Sequence, residues 1–238
     1  MSQFTESLWA DTAFSQSYRD DADIFLPFRR QFIEMAKSFY GHFFNSNPEA
    51  GVLDLGCGDG LFIQELLKSF TPKEITMVDG SSEMLAAARK RLGKRDDVNF
   101  IEIDFHKLLA EKPLEKSFDF IYSSLAIHHL PSRDKYRLYE YIYERLNPGG
   151  CFIHYDVVVP TGDNIEKWYM SVWREWIRNF PDKERSEGLL GIPEQYKENP
   201  DNLPDTLHSQ LQALENIGFS DVDCHCKHGI FSLFGGFK

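Results

Sequence analysis

Between residues 51 and 159 short apolar runs alternate with amphipathic stretches, and that alternation leaves few folds open to the chain. GVLDL (51–55), EITMVD (74–79), VNFIEID (98–104), SFDFIYSSL (117–125) and CFIHYDVVV (151–159) read as strands. The segments between them read as helices. SSEMLAAARKRLG has a serine to cap it (Ser81 or Ser82), Glu83 in its first turn, Arg89–Arg91 in its last and Gly93 to end it. Pro131 opens another helix, with Tyr139, Ile142, Tyr143 and Leu146 on one face, and Asn147-Pro148-Gly149-Gly150 reads as the turn that closes it. Strands joined through helices call for right-handed crossovers, so the pattern predicts an α/β, doubly wound, mostly parallel sheet.

The flanking segments read as additions to one domain of 238 residues. Phe28, Phe32, Met35, Phe39 and Phe43 form a stripe at helical spacing, which predicts a helical cap over residues 1–47 stopped by Pro48. The α/β core over 48–160 follows. Ile165, Trp168, Tyr169, Val172, Trp173, Trp176, Ile177 and Phe180 then predict a helix opening an inserted segment, 161–203, whose second half (GIPEQYKENPDNLP) reads as loop. Residues 204–238 hold a helix with Leu207, Leu211, Leu214 and Ile217, closed by Gly218, and two strands around His228–Gly229 that complete a seven-stranded sheet.

The glycines after the first strand carry the chemistry. In VLDLGCGDG, Gly56, Gly58 and Gly60 are spaced G-x-G-x-G rather than the G-x-G-x-x-G of a dinucleotide loop. Asp59 sets a carboxylate where a pyrophosphate would sit, which favours a ligand with a cationic group. Asp79 ends the second strand about 20 residues later, where an acid accepts from ribose hydroxyls. Asp104 ends the third, placed to receive the exocyclic amine of a purine.

VLDLGCGDG, MVDGS, NFIEIDF, FDFIYSSLAIHHL and LNPGGCFI, in this order, resemble the class I S-adenosylmethionine-dependent methyltransferases over residues 50–160. The resemblance implies a Rossmann-like methyltransferase fold and S-adenosyl-L-methionine as cofactor. It implies a cofactor site of Asp54, Gly56, Cys57 and Gly58, then Asp79, Gly80, Ser81 and Met84 toward the ribose. Asp104 and Phe105 would hold the adenine, with Ser123 and Ser124 lining the site. Within the superfamily the chain is similar to small methyltransferases related to the carboxy-S-adenosylmethionine synthases of a tRNA-uridine pathway. That similarity lies in the aromatic insertion and in Asp205, His208 and Gly218–Phe219; it departs where the synthase keeps an arginine, leaving Lys197 as the cation of that region. The implied activity is methylation of a small-molecule acceptor. Modification of S-adenosylmethionine itself, a role in tRNA wobble-uridine modification, and cofactor binding without turnover stay open.

In-line methyl transfer needs alignment and exclusion of water, and a general base only for a protonated nucleophile. His128, after the fourth strand, is the candidate base; with His129 it equally reads as loop packing. Tyr155 and Asp156, at the end of the fifth strand, read either as acceptor contacts or as strand-end hydrogen bonding, and His154 as a core residue. Trp168, Tyr169, Trp173 and Trp176 read as core or as the inner face of a lid over a flat or cationic acceptor. Arg174 and Arg178 read as a solvated face or a hold on an acidic substrate.

The net charge of −11 argues against sequence-independent nucleic-acid binding. The cluster Arg89, Lys90, Arg91, Lys94 and Arg95 reads as an offset to the helix dipole. Cys57, Cys151, Cys224 and Cys226 do not form a disulfide framework in a chain of this length. On a strand, Val222, Cys224 and Cys226 would share a face opposite Asp223, His225 and Lys227, a pattern without zinc spacing, so no metal is expected. No apolar run reaches membrane length, and MSQFTESLWADTAF lacks the layout of a signal peptide. A reduced, soluble, cytoplasmic protein is expected, with a homodimer among the open oligomeric states.

Overall fold

In a computed structural model, which describes residues 12–238, one seven-stranded sheet runs in the order β3-β2-β1-β4-β5-β7-β6. The strands are β1 (Gly51–Leu55), β2 (Glu74–Asp79), β3 (Val98–Glu102), β4 (Phe118–Ser124), β5 (Leu146–Val157), β6 (Ser220–His228) and β7 (Phe231–Phe237). The first five are parallel, and β7 enters antiparallel between β5 and β6. The doubly wound sheet and its closing hairpin are thus as the sequence predicts. β5 differs at its start: residues 146–150 continue the strand instead of turning out of it, since Leu146 pairs with Phe118 and Gly149 donates its N–H to the Lys238 carbonyl.

Alternation along the strands divides the core. Val52, Met77, Phe120, Tyr122, Ile153 and Tyr155 face one layer of helices, α1 (Thr12–Phe25), α2 (Arg29–Phe44), α3 (Leu61–Leu67) and α4 (Ser82–Leu92). Leu53, Leu55, Ile121, Phe152 and Phe234 face the other, α5 (Phe105–Glu111), α6 (Ser132–Arg145) and α10 (Leu207–Ile217). The sequence reading of α10 holds, with Thr206 accepting the Ser209 N–H at its start and Gly218 (φ 116°) at its end.

The cap expected over 1–47 is two helices, and its first 11 residues lie outside the described ones. Their break falls at Phe28, whose φ of 56° ends one axis and starts the next. The predicted stripe is corrected here. Met35 and Phe43 are 40% and 47% exposed, while Phe32, Ile33, Ala36, Tyr40 and Phe44 are buried. The helix carries two aromatic ridges, and the sheet takes the one where small Ala36 allows close approach.

The inserted segment begins with α7 (Asp163–Arg178), and the region read as loop contains α9 (Ile192–Glu198), after a short α8 (Lys183–Glu187). Pro193 at the first helical positions is well suited to starting α9. β6 also departs from simple alternation: its register slips between Cys224 and Cys226. The bulge sends Cys224 to the α10 side and Cys226 to the α2 side, so the two thiols no longer share a face.

Candidate active site

The strand order reverses between β1 and β4, and in an open α/β sheet a ligand crevice lies at the carboxyl ends of such a pair. A cavity of about 520 Å³ opens there. The glycine loop forms its floor. Gly56 and Cys57 both donate N–H to the Val78 carbonyl, at 2.8 and 3.0 Å, tying the loop to β2. Gly56 (φ 68°) has no room for a side chain, because a Cβ would lie 2.4 Å from that of Ala126. Gly58 (φ 53°) instead faces open space.

Three carboxyl groups edge this floor. Asp79 accepts the Gly58 N–H on Oδ2 and the Ser81 N–H on Oδ1, both at 2.8 Å, and the Gly80 N–H also acts on this carboxyl. Burial pushes its carboxyl above the usual range against the pull of those N–H groups. Asp104 caps α5 through the Lys107 N–H at 2.9 Å, beside Phe105. Asp54 is the exceptional one: it is buried within β1, and neither oxygen meets a donor among the described residues. Burial, then the neighbouring Asp79 and Asp59 charges, hold its carboxyl well above the usual range.

Of the twelve cofactor residues anticipated from sequence, Asp54, Gly56, Cys57, Gly58, Asp79, Gly80, Met84, Asp104, Phe105 and Ser124 line the cavity. Ser81 and Ser123 do not. Ser81 caps α4 through the Met84 N–H, and Ser123 donates to the Leu55 carbonyl at 2.7 Å, welding β4 to β1. Asp59 lines the cavity too, but the repulsion expected from it is corrected. Arg91 binds both its carboxylate and its carbonyl, so its charge is answered from α4.

On the far side stands the His128–His129 turn. His128 lines the cavity, with Nδ1 2.6 Å from Asp156 Oδ1 and its own N–H donating to Oδ2 at 2.9 Å. Asp156 also meets His154 Nε2 at 2.9 Å. Burial opposes ionisation of Asp156, yet the two imidazoles hold its carboxyl well below the usual range. An ionised Asp156 requires a proton on His128 Nδ1, which leaves Nε2 as the basic nitrogen. His129 lines the cavity as well; burial and the adjacent His128 push it down to about 3, so it stays neutral.

Neither Tyr155 nor Asp156 lines the cavity, in contrast to the acceptor contacts expected of them. Successive strand residues point to opposite faces, so Tyr155 stacks on Phe32 (4.5 Å between centroids) while Asp156 turns to the α6 side with His154. Asp156 thus acts on the cavity only through His128.

The tryptophans separate likewise. Trp168 is 58% exposed, and Tyr169 turns outward to Lys227. Trp173 lines the cavity and donates Nε1–H to the Phe25 carbonyl, while Trp176 donates to the Ile24 carbonyl at 3.0 Å. These two indoles cap the end of α1 and fix α7 to it. Lys197 pairs with Glu166 at 2.8 Å, and Arg174 pairs with Glu194, so neither cation faces the cavity. Tyr18, Arg29 and Tyr196 do line it and were not singled out from sequence. Tyr18 and Arg29 sit where the cap was read only as packing, and Tyr196 where α9 was read as loop.

A methyltransferase domain model matches residues 52–150, the stretch that builds this floor. Over that stretch the chain is similar to the class I S-adenosylmethionine-dependent methyltransferases. A malonyl-[acyl-carrier protein] O-methyltransferase of Halalkalibacterium halodurans is 39% identical to this chain over 79 residues, covering 33% of the chain and 29% of the relative. A trans-aconitate 2-methyltransferase of Escherichia coli is 33% identical over 147 residues, covering 61% and 52%. The chain therefore spans about half or less of the length of these relatives. In fold, an O-methyltransferase family protein from Burkholderia thailandensis superposes with a TM-score of 0.66 over 98% of this chain and 62% of that one, at 16% identity. The DhpI–SAH complex superposes at 0.60 over 95% and 94%, also at 16% identity. Among the described residues no cluster suits a metal ion, and no helix is long and apolar enough to cross a membrane.

Proposed function

We propose that this protein transfers the methyl group of S-adenosylmethionine to a small-molecule acceptor, with His128 as general base. The carrying observation is Asp54: a buried carboxyl without a donor among the described residues, at a glycine loop, calls for a cationic group from the ligand. The ammonium of the cofactor's aminoacyl arm meets that need. When bound, the cofactor supplies a methyl group on a sulfonium, ready for in-line displacement.

The chain's residues divide the remaining work. Asp79 presents its carboxyl to the ribose hydroxyls, and Asp104 with Phe105 offers an acceptor and a ring edge to the adenine. Trp173, Tyr196, Leu189 and Ile192 exclude water from the opposite side. His128 Nε2 would take the proton that a protonated acceptor atom releases on methylation. Asp156 holds the resulting imidazolium.

On this reading residues 48–160 carry the cofactor, while the described part of the cap, 12–47, and the insertion 161–203 enclose the acceptor. All four cysteines are free, which suits a reducing cytoplasmic setting. The test is binding of S-adenosylhomocysteine: it should raise the melting temperature of the wild type, and Asp79→Ala should abolish the rise. A wild type that shows no shift overturns the reading.

A further inference from the structure

Arg29 is the cavity's unexplained charge. It opens α2 directly after the Phe28 break, its side chain is 14% exposed, and it lines the cavity. Nη1 donates to Asp23 Oδ1 at 2.9 Å; among the described residues no hydrogen bond engages Nε or Nη2. Asp23 does not fully answer this charge, because its other oxygen takes Nε and Nη2 of Arg30 at 2.8 and 2.5 Å. Two guanidiniums thus share the Asp23 carboxylate, and Arg30 reaches Glu65 as well, at 3.3 Å. Of the other acids lining the cavity, Asp59 is held by Arg91, Asp21 by Arg185, Asp79 by backbone N–H groups and Asp104 by the Lys107 N–H; Asp59 and Tyr18 act on the Arg29 charge through space. Arg19, the second guanidinium of the cavity, leans on Gln16 and the Met84 sulfur, on the cofactor side.

The position of Arg29 is fixed from outside. Trp173 and Trp176 hold the carbonyls of Phe25 and Ile24 just before it, and Phe28 rests against Trp176 and His228, with ring centroids 4.6 and 4.8 Å apart. A desolvated guanidinium held this way retains a side-on edge, Nε with Nη2, whose spacing matches two oxygens of one planar carboxylate. The surrounding carboxyl groups Asp54, Asp59, Asp79 and Asp104 limit the anion to low charge, since a dianion would meet their combined field.

We propose that the acceptor carries a carboxylate and that Arg29 is the residue that selects it. This rests on the methyl-transfer reading and adds the substrate class. Arg29 is a binding residue here: it grips the acceptor through charge and a paired hydrogen bond, while His128 handles any proton on the reacting atom.

The experiment uses ligand-observed NMR on the full chain saturated with S-adenosylhomocysteine. The probes are matched sets: benzoate with benzamide and phenylphosphonate, and hexanoate with hexanamide. The proposal expects at least one carboxylate to bind with at least tenfold preference over its amide, and expects Arg29→Met to erase that preference. Arg29→Lys, which keeps the charge and loses the fork, should retain a weakened preference. Equal binding of acid and amide, binding of neither, or tighter binding of the phosphonate overturns it, as does an unchanged preference in a folded Arg29→Met. The wild-type acid–amide comparison stands even if the methionine variant fails to fold. The thermal shift with S-adenosylhomocysteine separates the two levels. Loss of that shift in the wild type defeats the cofactor reading, whereas a normal shift without acid preference defeats only this one.

Discussion

Asp54→Asn should make the empty protein more stable and the loaded one weaker. The carboxyl is desolvated and unpartnered, with Asp79 and Asp59 as like-charged neighbours, and its folded-state pKa is raised. An unfolded aspartate titrates at about 3.9. Above that pH the unfolded chain releases the proton more readily than the folded one, so the empty protein loses stability as pH rises toward the folded pKa. An amide of the same shape removes this loss and is desolvated at lower cost. Each pH unit between about 3.9 and the folded-state pKa costs the wild type about 1.4 kcal/mol that the amide does not lose. For a chain of this size each kcal/mol moves Tm by roughly 2–4 °C. The same change removes a charge-assisted contact to the ligand, about 1.5–3 kcal/mol, or roughly ten- to a hundredfold in affinity. Thermal melts from pH 4.5 to 8, with and without S-adenosylhomocysteine, read both effects. The advantage of the empty variant over the empty wild type should grow with pH, and its shift with ligand should be the smaller. Asp79, also raised by burial, should leave a shallower slope of the same sign in the variant. A variant less stable than the wild type at neutral pH, or one that binds ligand undiminished, refutes the reasoning.

The His128 network and the glycine loop give further tests. Asp156→Ala strands two buried imidazoles and should cost about 3–5 kcal/mol in urea melts. Because the Asp156 pKa is lowered, its stabilisation is present above about pH 3.9 and fades as pH falls through that range, so wild type and variant should converge in acid. His128→Gln should fold normally, bind S-adenosylhomocysteine as the wild type does, and lower kcat by about 10²–10⁴ for an acceptor that must lose a proton. In the loop, Gly56→Ala meets Ala126 and should destabilise the fold by more than about 2 kcal/mol, adding overpacking to left-handed strain. Gly58→Ala faces open space and should cost only the strain, about 1–2 kcal/mol, measurable by the same melts.

The floor of the site was legible because its signals are local. Strand, glycines and strand-end acids are contiguous, and a strand's carboxyl end is where an α/β sheet gathers ligands. The opposite wall was not. Tyr155 and Asp156 look alike in sequence, yet adjacent strand residues must part, and which face holds the cavity depends on helices far along the chain. The aromatic stripe of α7 carries no mark separating Trp173, which lines the cavity, from Trp168, which is exposed. Arg29 could not be found from spacing: its cavity position depends on the Phe28 break and on two indoles nearly 150 residues later. The slip in β6 hid as well, because a bulge leaves the pattern of residue types intact while exchanging their faces.

The placing of β7 between β5 and β6 has a consequence for biosynthesis. The outer edge of β5 has no partner strand until residues 158–230 have been made, and β5 is an apolar strand whose bare edge invites pairing with other chains. Asp156 faces Ser232 across that late junction, so the carboxylate that orients His128 is bracketed on one side only when β7 docks. A nascent chain ending within the inserted segment could hold the nucleoside floor and still lack a rigid base. Shielding of the β5 edge by a holdase during synthesis should therefore raise the yield of fully folded chains more than the yield of chains able to bind S-adenosylhomocysteine.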